Sequence, residues 1–460
     1  MQNPTPLLLA KPQRVSLILS LFLLSFSQEG SKFLPNMGSR TTAGGGKACF
    51  PAHTIVKFRK SQLYEPPSIA LVIEDDNMLL EILARVPVKA LFAFKCVSKR
   101  WCCLISQPSF ARTYVRRRIE SPKEYPPAWT LLYQFTYGRG FSDIPPDPES
   151  LRRLCSGAHK SPGLSVLVPP LHVSHNRVLT ILASSNGLLL SRLDGYFVCN
   201  PITQQWVALP LPPHRLKYVI EGFVTQAEDG IVAAYKVVRM ERLCENTRVL
   251  NIEIFASETG EWKSYRAFTP NSVQLLDYRP VLYNGLLHWY DIGYRMVGYD
   301  PNGSSDRCRL INLPRTEESI LLNEKYSGIT RFCQVSGESL RYFEVIQGVE
   351  KPSLRVWGLR NYETGEWSME YRIICGEILS ADAYVSSLPG VALPLACDPF
   401  DVDVVYLWCG RGLVCCDVGN RKFEIIRHPV FSKMMLFWSL VYPYMLVWPT
   451  PVPLPAGRAP

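Results

Sequence analysis

The chain has 460 residues, 47% apolar and 20% charged, a balance that excludes an intrinsically disordered protein and leaves room for two or three domains with a sizeable core. Its 37 prolines and 29 glycines are too few and too scattered for collagen or a low-complexity linker, but enough to punctuate many short turns. The net charge of +10 is uneven: from Glu81 to Lys123 there are ten basic and two acidic residues, which points to a local acidic partner and away from a nucleic-acid surface spread over the whole protein.

Val15 to Phe26 is an apolar run behind Lys11 and Arg14, long enough for a signal-peptide core and too short to span a bilayer. Ser25-Phe26-Ser27 is a mediocre cleavage site and Met37 could be an alternative start, so residues 1–60 read as a weakly ordered extension. The 14 cysteines include no C-x-x-C spacing. Cys102-Cys103 and Cys415-Cys416 are adjacent, and Cys199, Cys333 and Cys409 lie in apolar strand-like runs; reduced, buried thiols and no metal site are expected. His172 and His175 sit three apart in a Pro-flanked loop, a poor basis for metal ligation.

From Asp75 the apolar residues recur at helical spacing. Asp75 or Asp76 can accept from the free N–H groups of a first helix whose apolar side carries Leu79, Leu80, Ile82 and Leu83. Pro87 is expected to stop it and open a second helix carrying Leu91 and Phe94. Ser98 can cap a third, in which Val97, Trp101, Leu104 and Ile105 form one stripe, and Pro108 is expected to close the unit. Fewer than about forty residues of this kind cannot build a large core alone, so several apolar side chains need cover from a partner or the next domain. Arg116, Arg117 and Arg118 cannot share one helix face, so most of them are expected in solvent.

Beyond Pro145, Pro146 and Pro148 the period becomes that of strands. Val178 to Ala183 meets Asn186-Gly187, Leu188 to Leu193 meets Asp194-Gly195, and Tyr196 to Cys199 meets Asn200-Pro201, turn pairs tolerant of positive φ. Comparable hairpin endings recur at Trp206, Trp262, Leu310, Trp367 and Phe423, at intervals of 56, 48, 57 and 56 residues. A repeat of several strands near that period points to propeller blades, each with a large apolar residue filling the gap to its neighbour. Glu258-Thr-Gly-Glu-Trp262 and Glu363-Thr-Gly-Glu-Trp367 then read as turns and packing residues. Met434 to Trp448 reads as a last buried strand before a Pro-rich tail. The domains expected are the extension at 1–60, a helical module at 70–118, a linker at 119–165, the β domain at 166–448 and the tail at 449–460.

Leu80-Glu81-Ile82-Leu83, Arg85-Val86-Pro87-Val88-Lys89, Leu91, Lys95-Cys96-Val97-Ser98-Lys99-Arg100-Trp101, Leu104-Ile105-Ser106 and Pro108-Ser109-Phe110 resemble the plant-type F-box. Ser185-Asn186-Gly187-Leu188-Leu189, Tyr196 to Pro201, Asn284 to Trp289 and Asp401 to Leu407 resemble the F-box-associated β domain; the kelch double glycine is missing from these repeats. The resemblance implies an α+β multi-domain chain, a small three-helix F-box followed by a large all-β, propeller-like domain. It implies binding of the acidic Skp-type adaptor of SCF ubiquitin ligases, and through it a cullin, by Leu80, Ile82, Leu83, Val86, Pro87, Leu91, Val97, Trp101, Leu104 and Ile105. One departure is Ile73-Glu74 where the family has Leu-Pro. The β domain would hold an unknown protein substrate, with Arg239 to Cys244, Tyr290 to Arg295 and Arg411 as candidate contacts by exclusion from strands.

No G-x-S-x-G, P-loop, H-E-x-x-H or dinucleotide fingerprint occurs, so the expectation is a non-catalytic receptor subunit without cofactor, metal, nucleic-acid or membrane partner, acting in the cytoplasm or nucleus. A secreted propeller that binds or cleaves glycans is the alternative, motivated by Val15 to Phe26. A third reading keeps the F-box but regulates a partner without ubiquitin transfer.

Overall fold

The computed structural model describes residues 75–121 in large part, 129–135, 151–154 and, with gaps, 180–457. The signal-like run, His172 and His175, Ile73-Glu74, Pro87 and Arg411 lie outside the described residues. The chain divides into two compact units, 1–126 and 127–460.

Among the described residues of the first unit three helices can be bounded, α1 (Asp76–Leu83), α2 (Lys99–Ser106) and α3 (Pro108–Glu120), and the helical residues Val88, Leu91 and Phe94 lie between α1 and α2. Asp75 caps α1, its Oδ1 accepting from the N–H groups of Asn77 at 2.7 Å and Met78 at 3.3 Å. Ser98 Oγ accepts from the Trp101 N–H at 3.1 Å and starts α2. Pro108 does not close the unit; it occupies the first turn of α3. Its fixed φ suits a helix start, and the N–H it lacks would have had no partner there. Leu79, Leu83, Leu91, Trp101, Leu104, Ile105, Phe110 and Tyr114 form the buried interior, with Phe94 edge-on to Trp101 at 5.5 Å.

The second unit is a β-propeller of five four-stranded antiparallel blades. Two strands precede them, β1 (Trp129–Phe135) and β2 (Leu151–Leu154). Blade 1 is β3 (Thr180–Ser185), β4 (Leu188–Arg192), β5 (Tyr196–Asn200) and β6 (Gln205–Ala208). Blade 2 is β7 (Val219–Glu228), β8 (Ile231–Glu241), β9 (Thr247–Ala256) and β10 (Glu261–Val273). Blade 3 is β11 (Val281–Tyr283), β12 (Leu286–Asp291), β13 (Arg295–Tyr299) and β14 (Arg309–Asn312). Blade 4 is β15 (Ile329–Ser336), β16 (Ser339–Ile346), β17 (Ser353–Asn361) and β18 (Glu366–Ile374). Blade 5 is β19 (Ala392–Cys397), β20 (Val404–Cys409), β21 (Gly412–Asp417) and β22 (Lys422–Ile426). Last comes β23 (Ser439–Met445), which pairs antiparallel with β1 from Trp129↔Met445 to Phe135↔Ser439.

That pairing makes a three-stranded sheet, β2-β1-β23, from the two ends of the domain. β23 neighbours both β19 and β3, so this sheet closes the ring. The segment expected as a linker at 119–165 therefore supplies two strands. The C-terminal tail is docked as well: Val452 is buried in the seam of blades 1 and 2 and the Ala456 N–H donates to Ser257 O at 3.0 Å.

The repeat has a structural meaning. Trp206, Trp262, Leu310, Trp367 and Phe423 are each the second residue of the fourth strand of a blade. Trp262 packs in the seam between blades 1 and 2 and its Nε1 donates to Pro210 O at 2.9 Å. Trp367 does the same between blades 3 and 4, donating to Asn312 O at 2.8 Å. The duplicated Thr-Gly forms matching turns, with Gly260 at φ +71° and Gly365 at φ +69°. Apolar seams run between successive blades: Trp289, Val297 and Tyr299 of blade 3 against Ile252 and Ile254 of blade 2, and Phe343, Val345 and Val356 of blade 4 against Val405, Leu407 and Val414 of blade 5. A single small sheet cannot bury both faces, so each blade depends on its neighbours.

Candidate functional site

The structure sorts the ten candidate adaptor residues into two sets. Leu83, Val86, Leu91, Val97, Trp101, Leu104 and Ile105 are buried, while Leu80 and Ile82 are half-buried; Pro87 lies outside the described residues. The seven buried side chains build the interior, because a module this small needs nearly all of its apolar residues to cover itself. What α1 leaves uncovered flanks its buried line: Met78, 51% exposed, with the partly covered Ile82 one turn on, and the partly covered Leu80 on the other side. Helical spacing found the stripe but did not separate its inner edge from its outer one.

The arginines also divide. Arg117 pairs with Glu81, and Arg118 stacks on the Tyr114 ring at 3.5 Å while donating to the carbonyls of Ala84 at 3.2 Å and Val86 at 3.0 Å. These carbonyls lie just past α1, whose last turn carries no basic residue of its own, so Arg118 reaches over from α3 to satisfy them. Tyr114 Oη donates to Val86 O as well, at 3.0 Å. The expectation that most of the triple arginine faces solvent holds for Arg116 alone. Burial disfavours the charged form of Glu81, but Arg117 and Arg85 outweigh it and hold its carboxyl below the usual range. Arg100 donates to Asp76 Oδ1 at 2.6 Å. Much of the local basic excess is thus committed within the module; Lys99, Arg112 and Arg116 remain exposed.

On the propeller, the described residues of two candidate substrate stretches, 239–242 and 290–295, lie at the same end of the ring, in the β8–β9 and β12–β13 hairpins. In each blade the turn between second and third strands lies at the same end as the link to the next blade. Arg239 is not a surface contact: it is buried in β8 beside Glu253, 3.3 Å away, which also takes His214. Asp291 is likewise buried; its carboxylate accepts from Arg295 Nε at 2.8 Å and the Gln274 N–H at 2.7 Å and so fixes the β12–β13 turn. The exposed features of this rim include Tyr218, flanked by Lys217 and Arg242 at 5.4 Å each, and Ile292.

His288 is fully buried between blades 3 and 4, its Nε2 2.9 Å from Tyr362 Oη. Burial pushes its imidazole down to about 4, with Arg309 adding to the effect against hydrogen bonds to Val281 and Leu286. Among the described residues no group of His, Cys, Asp and Glu is arranged to hold a metal ion.

A helical docking module and a ring of blades in one chain define a two-part recognition protein. Residues 75–113 match the F-box domain and residues 154–440 match the F-box protein At3g26010-like beta-propeller, so the chain belongs to that family of F-box proteins with a propeller domain. Among its relatives in Arabidopsis thaliana, F-box protein At1g49990 is 28% identical over 378 residues, covering 72% of this chain and 81% of that protein. F-box protein At3g26010 is 27% identical over 76% of this chain and 78% of its own length. A putative F-box/kelch-repeat protein, At1g15680, is 27% identical over 81% of this chain and 88% of its own.

Proposed function

We propose that the chain is the substrate-recognition subunit of an SCF-type E3 ubiquitin ligase. The F-box binds a Skp-type adaptor, the adaptor reaches a cullin, and the propeller holds the protein to be modified, in the cytoplasm or nucleus. The observation that carries this reading is the presence in one chain of an F-box, whose helix α1 leaves Met78 exposed beside the half-buried Ile82, and a large propeller. The chain supplies position, not chemistry: holding a target beside a charged conjugating enzyme raises the transfer rate by proximity alone. Adaptor contact then falls mainly on Met78 and Ile82 and on the exposed Lys99, Arg112 and Arg116, whose charge suits an acidic partner.

Gel filtration of the full chain with a Skp-type adaptor tests this. A 1:1 complex is expected, abolished by a Met78→Asp, Ile82→Asp double change that preserves the circular-dichroism spectrum. No complex with the folded wild type, or an undiminished one with the folded variant, overturns the assignment.

A further inference from the structure

At the end of the ring opposite the β8–β9 and β12–β13 hairpins, residues 452–457 lie across the seam of blades 1 and 2, outside every sheet. Every residue from Thr450 to Pro455 is a proline or stands directly before one. Proline fixes its own φ at about −65°, and the residue before it is pushed out of the helical region. The sequence therefore favours an extended, polyproline-like form. That form repeats every three residues, which brings Val452 and Pro455 to one side. Both are buried, while Leu454 between them is exposed.

The surface beneath is made by the two blades themselves. Val452 enters the apolar cluster that joins Val207 and Leu209 of blade 1 to Val232 and Phe255 of blade 2. Gln205, the first residue of β6, accepts from the Val452 N–H through its Oε1 at 3.0 Å. Pro453 and Pro455 have no N–H to give, and the Ala456 N–H donates to Ser257 O at 3.0 Å. Ser257 is pinned in turn to β8: its N–H donates to Tyr235 O at 3.0 Å and its Oγ accepts from the Tyr235 N–H at 2.9 Å. A Cβ at Gly260 would collide with Ala456 O, so the β9–β10 turn carries the one residue type that lets a second backbone come this close. The walls of this groove belong to strands already paired within their own blades, and the ring is closed by β23 before residue 452 is reached.

We propose that this seam is a peptide-binding groove for an extended proline-rich segment of the form Val-Pro-x-Pro on a partner protein, and that residues 452–457 are its built-in competitor. The partner's chemistry follows from the occupant. The groove takes a branched apolar side chain whose N–H meets Gln205 and a proline three residues on, and it leaves the position between them to solvent. Such a ligand is extended before it binds, which limits the entropy lost on docking. A competitor held by so few contacts is displaceable. Tethered a few residues past β23, it acts at an effective concentration of about 1 mM, so a groove that takes the free segment at about 0.1 mM is blocked only about tenfold. The groove lies at the other end of the ring from the candidate substrate stretches, so the inference goes beyond the receptor reading and does not need it.

The test is fluorescence anisotropy with a labelled peptide of residues 449–460, against the full chain and a chain shortened to end at Trp448. The shortened chain is expected to bind the peptide at about 0.1 mM, and the full chain about tenfold more weakly. Val452→Ser in the full chain keeps the segment but removes its buried methyl groups, and should recover most of that difference; it carries the test if the shortened chain does not fold. In the peptide, Val452→Asp should abolish binding, since a carboxylate would enter an apolar cluster. Leu454→Ala, at the exposed position, should change it by no more than about twofold. A peptide that keeps only Val-Pro-Leu-Pro in an otherwise Gly and Ala sequence should still bind, as a partner's segment would. Absence of binding to the folded shortened chain and to the folded Val452→Ser chain overturns the proposal. So does equal binding by the full and shortened chains, an equal loss from Leu454→Ala and Val452→Asp, or failure of the Val-Pro-Leu-Pro peptide.

Discussion

In the helical module, polar clamps finish what a small apolar interior begins. Arg118 satisfies the carbonyls that follow α1, Arg117 ties α3 to Glu81, and Arg100 ties α2 to Asp76. In the propeller the order is reversed: continuous apolar seams carry the architecture, and polar groups sit at the rims or are buried in pairs. The difference follows from scale, since a short segment has more surface than interior to offer, whereas stacked blades bury the faces of each sheet against the next. A partner helix or loop would thus meet a few apolar side chains on the module, and a broad polar rim on the propeller.

Three changes would break or sharpen this contrast. The largest effect belongs to the seams. Trp289, fully buried between blades 2 and 3, should cost the propeller about 3–5 kcal/mol when changed to alanine. Urea unfolding followed by tryptophan fluorescence measures it, and a loss below about 1 kcal/mol would mean that the seams are not the source of stability.

Next comes acid. The His288 imidazole is held down to about 4 in the fold against an ordinary value of 6.5, so as the pH falls the unfolded chain takes up its proton first. Stability present above pH 6.5 is then lost progressively down to pH 4, by up to about 3 kcal/mol. His288→Gln should flatten that part of the pH profile of the melting temperature; an unchanged profile would remove the histidine from the account.

The smallest effect should fall on the module. Arg118→Ala removes both the stack on Tyr114 and the donors to Ala84 and Val86, a loss of about 1–2 kcal/mol. Circular dichroism of the helical transition would show it. Arg116→Ala is the internal comparison: its 3.9 Å pair with Glu120 is largely exposed, so little change is expected. Equal effects of the two would mean that the clamp is not what holds α1 to α3.

Much of the chain was legible before any coordinates. The caps at Asp75 and Ser98 follow from residue type and the periodicity behind them, and both form. The five hairpin endings mark the fourth strand of every blade because turn chemistry and a large apolar residue recur together. Asn186-Gly187 adopts positive φ on both residues, the conformation its composition favours. Harder to read were features that join distant positions. Nothing local marks 129–135 as the partner of the last strand, since that pairing spans most of the domain. Pro108 carries the same residue type whether it ends one helix or begins the next.

The sequence by itself determined the local elements, the blade repeat and the two-part organisation, because capping, turn geometry and hydrophobic period act over a few residues or recur at a fixed interval. Only the tertiary structure decided which apolar residues of the module face inward, that Arg117 and Arg118 are spent on α1 while Arg116 is not, and that β1, β2 and β23 close the ring. Those outcomes depend on which charges and faces meet across long loops, a property of register and blade stacking that no local pattern encodes.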